Sequence, residues 1–180
     1  MPITRSKDLR TLQLFVDYLN VLLNQTVTDS RLTIIKSERR PSFIVARFQK
    51  QRILPLQLTP QRWLHFRLSA SVRPDGKIII EEAIWCYSLS DDPDGEEWIF
   101  RYDYRLNPQD IYPCAHMHIN AGDLDKLHFP TSRVSIEQIV AHLITEHGVE
   151  PKCQNWLDVL RTSHKGFVER RSDLGDAPFP

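Results

Sequence analysis

The fold is decided by residues 62–106, "RWLHFRLSASVRPDGKIIIEEAIWCYSLSDDPDGEEWIFRYDYRL", which contain three long runs of β-branched and aromatic residues. Two Pro-Asp-Gly segments, at 74–76 and 93–95, separate the runs. Proline presets its own φ angle and glycine accepts a positive φ, so both segments suit tight turns. Three strands joined by short turns predict an antiparallel meander, in which neighbours in the sequence are also neighbours in space.

Helices are predicted at both ends of the chain. Apolar residues at spacings of three and four predict a helix from about 7 to 24. Near the C-terminus, Ser135 and Gln138 have the spacing of a capping box, and Gly148 marks the end of the helix that follows. A last helix is expected from about 154 to 170. The apolar positions of the first helix are Leu9, Leu12, Val16, Leu19 and Leu23.

Shorter segments complete the predicted architecture. The runs "RLTIIK" and "SFIVARF" predict a hairpin around "SERRP", whereas the two prolines of "LPLQLTPQ" predict a loop. The run "AHMHIN" predicts one more strand. The fold class is therefore α+β, with a central antiparallel sheet (meander) and an N-terminal helix and two C-terminal helices packed on it. We expect a single globular domain over 1–172 and a frayed tail over 173–180.

Composition limits the classes of function. Of the 180 residues, 41% are hydrophobic and 26% charged, as is usual for a globular domain. The 23 basic residues balance the 23 acidic ones, so net charge gives no argument for nucleic acid. The three cysteines include no CxxC pair, which favours a reducing compartment and hence the cytoplasm. No apolar run approaches the roughly 20 residues that cross a bilayer, so we expect no membrane association by a spanning helix.

The candidate site lies in "PCAHMHINAGDLDKLHFPTSR", residues 113–133, which holds three of the seven histidines. Side chains alternate along a strand, so His116 and His118 should leave the same face of the sheet. The same alternation separates Arg101, Asp103 and Arg105 from the aromatic residues of the preceding strand. The sequence therefore predicts a group of imidazole, carboxylate and guanidinium side chains on one face.

A metal site is one interpretation of this group. His116 and His118 can direct both imidazoles at one point and bind zinc or another divalent metal. Cys114 lies too far along the strand to join them, so the remaining ligand would come from elsewhere. The candidates for that ligand are Asp103, Asp123, Asp125 and His128.

Acid–base catalysis without a metal is a second interpretation. One histidine can take a proton from a ribose hydroxyl while the other donates one to the leaving oxygen. The predicted catalytic residues are His116, His118 and Arg101, with Asp103 and His128 in support. Arg105 and Arg133 are candidate substrate-binding residues, because developing negative charge on the phosphate needs fixed cations.

A purely structural interpretation stands beside both. A pair of histidines two residues apart often only decorates an exposed strand, and an alternation of arginine and aspartate is often a solvated, salt-bridged face. For the other four histidines a structural or solvent-exposed role suffices, and His142 and His164 are expected at the surface. These histidines are His65, His142, His147 and His164.

The succession "WIFRYDYR", a loop and "AHMHIN" resembles the TumE-like toxins of bacterial toxin–antitoxin systems. It also resembles uncharacterised bacterial proteins in which an HxHxN strand precedes a "LHFPTSR"-like loop and a closing helix. The resemblance covers residues 96–148. It implies toxic action on RNA or another nucleic-acid process, carried by Arg101, Asp103, His116 and His118.

The leading functional hypothesis is a toxin- or defence-type bacterial protein that acts on nucleic acid, as a histidine-dependent ribonuclease. One alternative is a protein-interaction module without chemistry, which the wide apolar stripe of the first helix favours. Another is a metal-dependent hydrolase or small-molecule binder built on the same histidines. The partners that these hypotheses imply are RNA, an antitoxin or other protein, and a second copy of the chain.

Overall fold

The computed structural model describes residues 3–36, 42–92, 95–107, 113–122 and 126–170. The helices are α1 (Ile3–Thr26), α2 (Ile136–His147) and α3 (Trp156–Arg170). The strands are β1 (Thr33–Lys36), β2 (Phe43–Gln49), β3 (Arg52–Leu54), β4 (Leu56–Leu58), β5 (Arg62–Val72), β6 (Ile78–Ser88), β7 (Trp98–Arg105), β8 (Ala115–Ile119) and β9 (Phe129–Pro130). This arrangement confirms the predicted α+β class.

The strands form one antiparallel sheet in the order β1-β2-β5-β6-β7-β8-β9. Strands β5 to β9 are hydrogen-bonded in sequence order, which confirms the predicted meander and the pairing of "AHMHIN" with it. The β5–β6 turn has Gly76 at φ 83°, the positive φ that glycine adopts without steric cost. The expected hairpin of β1 and β2 also forms, with Thr33 opposite Ala46.

The helices cover one face of the sheet. Phe66, Trp85 and Tyr102 lie side by side on this face, with ring centroids 6.3 and 5.0 Å apart. Apolar side chains of all three helices join these rings in a single core, including the fully buried Val16, Leu143 and Leu160. The opposite face carries the residues that alternate with the core positions, and we call it the histidine face because His116 and His118 lie on it.

Helix α2 begins and ends as the sequence predicts. The Ser135 hydroxyl accepts a hydrogen bond from the backbone N–H of Gln138, and the Gln138 side chain accepts one from the backbone N–H of Ser135. Gly148 ends the helix in the left-handed region at φ 65°. The cap satisfies N–H groups that have no partner within the helix, so it defines where the helix starts.

Two expectations are wrong. The segment "LPLQLTPQ" is not a loop, because residues on either side of Pro55 form β3 and β4, which pair with β2 and β5. Leu56 and Leu58 are almost fully buried there. Burying these two side chains stabilises the strand pairing, which the prolines disfavour. His164 is not at the surface: it is 8% exposed, and its Nδ1 lies 3.0 Å from the Ser135 hydroxyl oxygen.

Some expectations fall outside the described residues. These are the hairpin connection "SERRP" at 37–41, the central residues 93 and 94 of the second turn, the candidate ligands Asp123 and Asp125, and the tail at 173–180. No helix within the described ranges is both long enough and apolar enough to cross a membrane.

Candidate functional site

Strands β7 and β8 bring together four side chains on the histidine face. Arg101 is directly opposite His118, and Asp103 is directly opposite His116. Opposed residues of an antiparallel pair project to the same face, so all four side chains share it. The face predicted for the two imidazoles, and their meeting with Arg101 and Asp103, is therefore confirmed.

His128 completes the group from the other side of β8. It immediately precedes β9, whose Pro130 is opposite His116 in the sheet. The ring centroid of His128 lies 4.6 Å from that of His116 and 4.4 Å from that of His118, while the rings of His116 and His118 are 5.1 Å apart. One ring nitrogen from each histidine lies within 4.8 Å of the other two. We call these three residues the histidine cluster.

Asp103 adds a carboxylate to the histidine cluster. Its Oδ2 atom lies 3.3 Å from Nε2 of His118, 3.8 Å from Nε2 of His116 and 2.9 Å from Nε of Arg101. Its Oδ1 atom is buried, and none of the described residues makes a hydrogen bond to it. One carboxylate therefore faces two imidazoles and a guanidinium. Its Oδ1 atom can still accept a hydrogen bond inside the site.

A hydrogen bond sets the tautomer of His116. Its Nδ1 atom lies 3.0 Å from the carbonyl oxygen of Pro113. A carbonyl only accepts, so Nδ1–H is the donor and the neutral ring keeps its lone pair on Nε2. Because Nε2 is the atom that faces Asp103, the nitrogen directed into the site is the one able to bind a cation.

The cluster is only slightly open to solvent. The side chain of His118 is 6% exposed and that of His116 13%, whereas Arg101 is 42% exposed at the rim. Burial is the main cause that lowers the pKa of His128, and the charges that His118 and His116 would carry lower it further. At neutral pH this environment favours the neutral imidazole of His128, which is the form that binds metals.

Cys86 lies next to this site, a neighbour that the sequence analysis did not identify. It is opposite Arg101 on β6, so its half-buried side chain also projects to the histidine face. Burial raises the pKa of its thiol to about 11, against the opposing effect of Arg101. The free thiol is therefore protonated near neutral pH, which disfavours it as a nucleophile there.

The two predicted substrate-binding arginines do not join the cluster. Arg105 is on the histidine face, but its Nε is 3.5 Å from Oε1 of Glu82. The guanidinium of Arg133 lies 4.7 Å from the ring centroid of Tyr104, a buried residue of the helix-covered face. Assigning Arg133 to the site was wrong, because the chain crosses to the other face of the sheet after β9.

No family model, curated protein or solved structure matches the chain. The resemblance to the TumE-like toxins therefore stays a prediction.

Proposed function

We propose that this protein is a divalent-metal-dependent hydrolase whose ion is bound by His116, His118 and His128. The observation that carries the proposal is the approach of three histidine nitrogens to within 4.8 Å of one another. Zinc bonds to imidazole nitrogen are about 2.0 to 2.1 Å long, so two ligand nitrogens of one ion are about 3.3 Å apart. The three nitrogens would therefore have to move closer together than their present limit of 4.8 Å when an ion binds.

The burial of the rings also favours a metal. Three neighbouring imidazoles repel one another when protonated, and burying them costs solvation free energy. A metal ion binds the neutral rings, so it avoids that repulsion, and its bonds to the ring nitrogens compensate for the burial. The nearby carboxylate of Asp103 adds negative charge that further stabilises a divalent ion.

Catalysis follows from the number of protein ligands. Three histidines leave one position of a four-coordinate ion for water, as in hydrolytic zinc sites, where the ion activates that water. Arg101, which pairs with Asp103 and remains part-exposed, is placed to bind an anionic group that approaches from solvent. These features favour a phosphodiester as substrate, and RNA is the form that the toxin- or defence-type role would require.

The experiment measures metal content and hydrolysis together. Untagged protein is loaded with zinc, dialysed and assayed for bound metal and for cleavage of RNA and of bis(p-nitrophenyl) phosphate. We expect the double variant H116A/H118A to bind one equivalent of zinc fewer than the parent protein and to lose the activity. His65→Ala removes a half-buried histidine on β5 outside the cluster, and it should keep both. Equal zinc content in the double variant and the parent protein would refute the proposal.

A metal-free ribonuclease is the second candidate, favoured by the position of Arg101 beside two histidines. It requires room for a phosphate between acid and base, whereas the rings of His116 and His118 are 5.1 Å apart and His118 is nearly buried. The same assay separates the candidates. RNA cleavage that persists in excess chelator and disappears in H116A/H118A would favour the metal-free mechanism.

An interaction role is independent of this chemistry. Leu14 and Val21 are exposed on α1 and lie two helical turns apart, on the same side of the helix. They favour contact with a second copy or another protein. Light scattering tests the homodimer: L14E/V21E should be monomeric at concentrations at which the parent dimerises, and a parent that stays monomeric would exclude the homodimer.

A further inference from the structure

A second pair of histidines lies at the C-terminal end of α2, on the helix-covered side of the sheet. His142 and His147 approach each other with their Nε2 atoms 3.3 Å apart. Residues five apart on a helix do not share a face, since each residue turns the chain by about 100°. The contact therefore depends on where the two rings are held by their surroundings rather than on helical spacing.

Aromatic residues of the sheet support both rings. Phe100 on β7 lies 5.7 Å from the ring of His142 and 5.4 Å from that of His147, and Tyr87 on β6 lies 4.9 Å from His147. Both aromatic side chains are almost fully buried. They form a rigid base that limits the rotamers of the two histidines, so less side-chain entropy remains to be lost when a ligand binds.

We propose that His142 and His147 form a two-histidine site for a divalent transition metal such as zinc. Tetrahedral zinc with bonds of about 2.0 to 2.1 Å places two imidazole nitrogens about 3.3 to 3.4 Å apart. The observed separation of 3.3 Å equals this distance. Water occupies the remaining positions, because His142 is exposed at the surface.

The electrostatic surroundings agree with this geometry. Burial is the main cause that lowers the pKa of His147, and the neighbouring charge of His142 lowers it further, against Glu146. The neutral ring, which is the metal-binding form, is therefore favoured at neutral pH. A hydrogen bond between the rings is the competing explanation of their approach, and it needs a proton on one Nε2 that zinc would displace.

The test records the histidine ring nitrogens by long-range ¹H–¹⁵N NMR while zinc is added to untagged full-length protein. We expect Nε2 of both His142 and His147 to shift, and H142Q and H147Q each to bind one equivalent of zinc fewer than the parent. The circular dichroism of H142Q should be unchanged, since the side chain is exposed. Unshifted Nε2 signals at millimolar zinc, or an unchanged stoichiometry in both variants, would overturn the proposal. The cluster on the opposite face serves as an internal reference, because its stoichiometry should not change in these variants.

Discussion

The Nε2 atom of His118 lies 3.3 Å from the Oδ2 atom of Asp103, and this contact joins the two strands that build the histidine face. Arg101 approaches the same oxygen from the rim at 2.9 Å. A carboxylate in this position can neutralise a bound cation or orient an imidazole, and a guanidinium beside it can attract an anion.

Asp103→Asn keeps the shape of the side chain and removes its charge. We expect zinc affinity to fall by about 10- to 100-fold, the usual effect of removing a carboxylate that supports histidine ligands. Competition with a chromogenic chelator measures the change. Glu82→Gln is the matched control, since Glu82 pairs with Arg105 rather than with the cluster, and its zinc affinity should stay the same. Equal affinities for D103N and the parent protein would show that the carboxylate plays no part in binding.

Arg101→Ala should weaken catalysis on anionic substrates. Hydrogen bonds to charged groups contribute about 1.5 to 3 kcal/mol, so kcat/KM for a phosphodiester should fall by about 10- to 100-fold. Hydrolysis of an uncharged ester should change much less, and the zinc content should be unchanged. Arg105→Ala provides the control, because its guanidinium pairs with Glu82 away from the cluster. Parallel losses on charged and uncharged substrates would contradict a role in charge recognition.

The stability of the metal-free protein should decrease as the pH falls below neutral. The pKa of His128 is lowered from its ordinary value of 6.5, mainly by burial, so the unfolded chain takes up this proton at a higher pH than the folded protein does. The unfolded state then binds more protons between those two pKa values, and the free energy of unfolding falls as the pH decreases through that window. Urea denaturation at several pH values measures the slope.

His128→Gln should reduce that slope without abolishing it, because burial also lowers the pKa values of His65 and His147. Measurements in chelator keep metal binding out of the comparison. An unchanged slope in H128Q would show that the environment of His128 does not penalise its charged form.

Ser135→Ala should destabilise the protein without affecting the histidine cluster. The Ser135 hydroxyl caps α2 through the backbone N–H of Gln138 at 3.2 Å and contacts Nδ1 of the buried His164 at 3.0 Å. Loss of the cap and of this contact should cost about 1 to 3 kcal/mol in the free energy of unfolding. Ser132→Ala, at an exposed position of the same segment, should cost much less. A smaller loss in S135A than in S132A would contradict the assigned role of the cap.

The sequence by itself determined the meander, the capped helix α2 and the direction of the two histidines on β8. Each depends on local geometry: proline and glycine set turn angles, a serine hydroxyl meets N–H groups three residues away, and strand side chains alternate. For the same reason Arg101 and Asp103 were predicted to face His116 and His118, since adjacent strands of a meander keep their faces aligned.

Only the tertiary structure decided which groups from distant segments meet. Sequence reasoning left His128 as one of four candidate ligands, placed Arg133 in the site, and expected His164 at the surface. The pairing of β9 with β8 brings His128 to the cluster, while the following segment carries Arg133 to the other face and the packing of α2 and α3 buries His164. These outcomes depend on burying the apolar sides of helices and sheet together. The free energy of that burial comes from the whole core, so no short stretch of the sequence indicates it by itself.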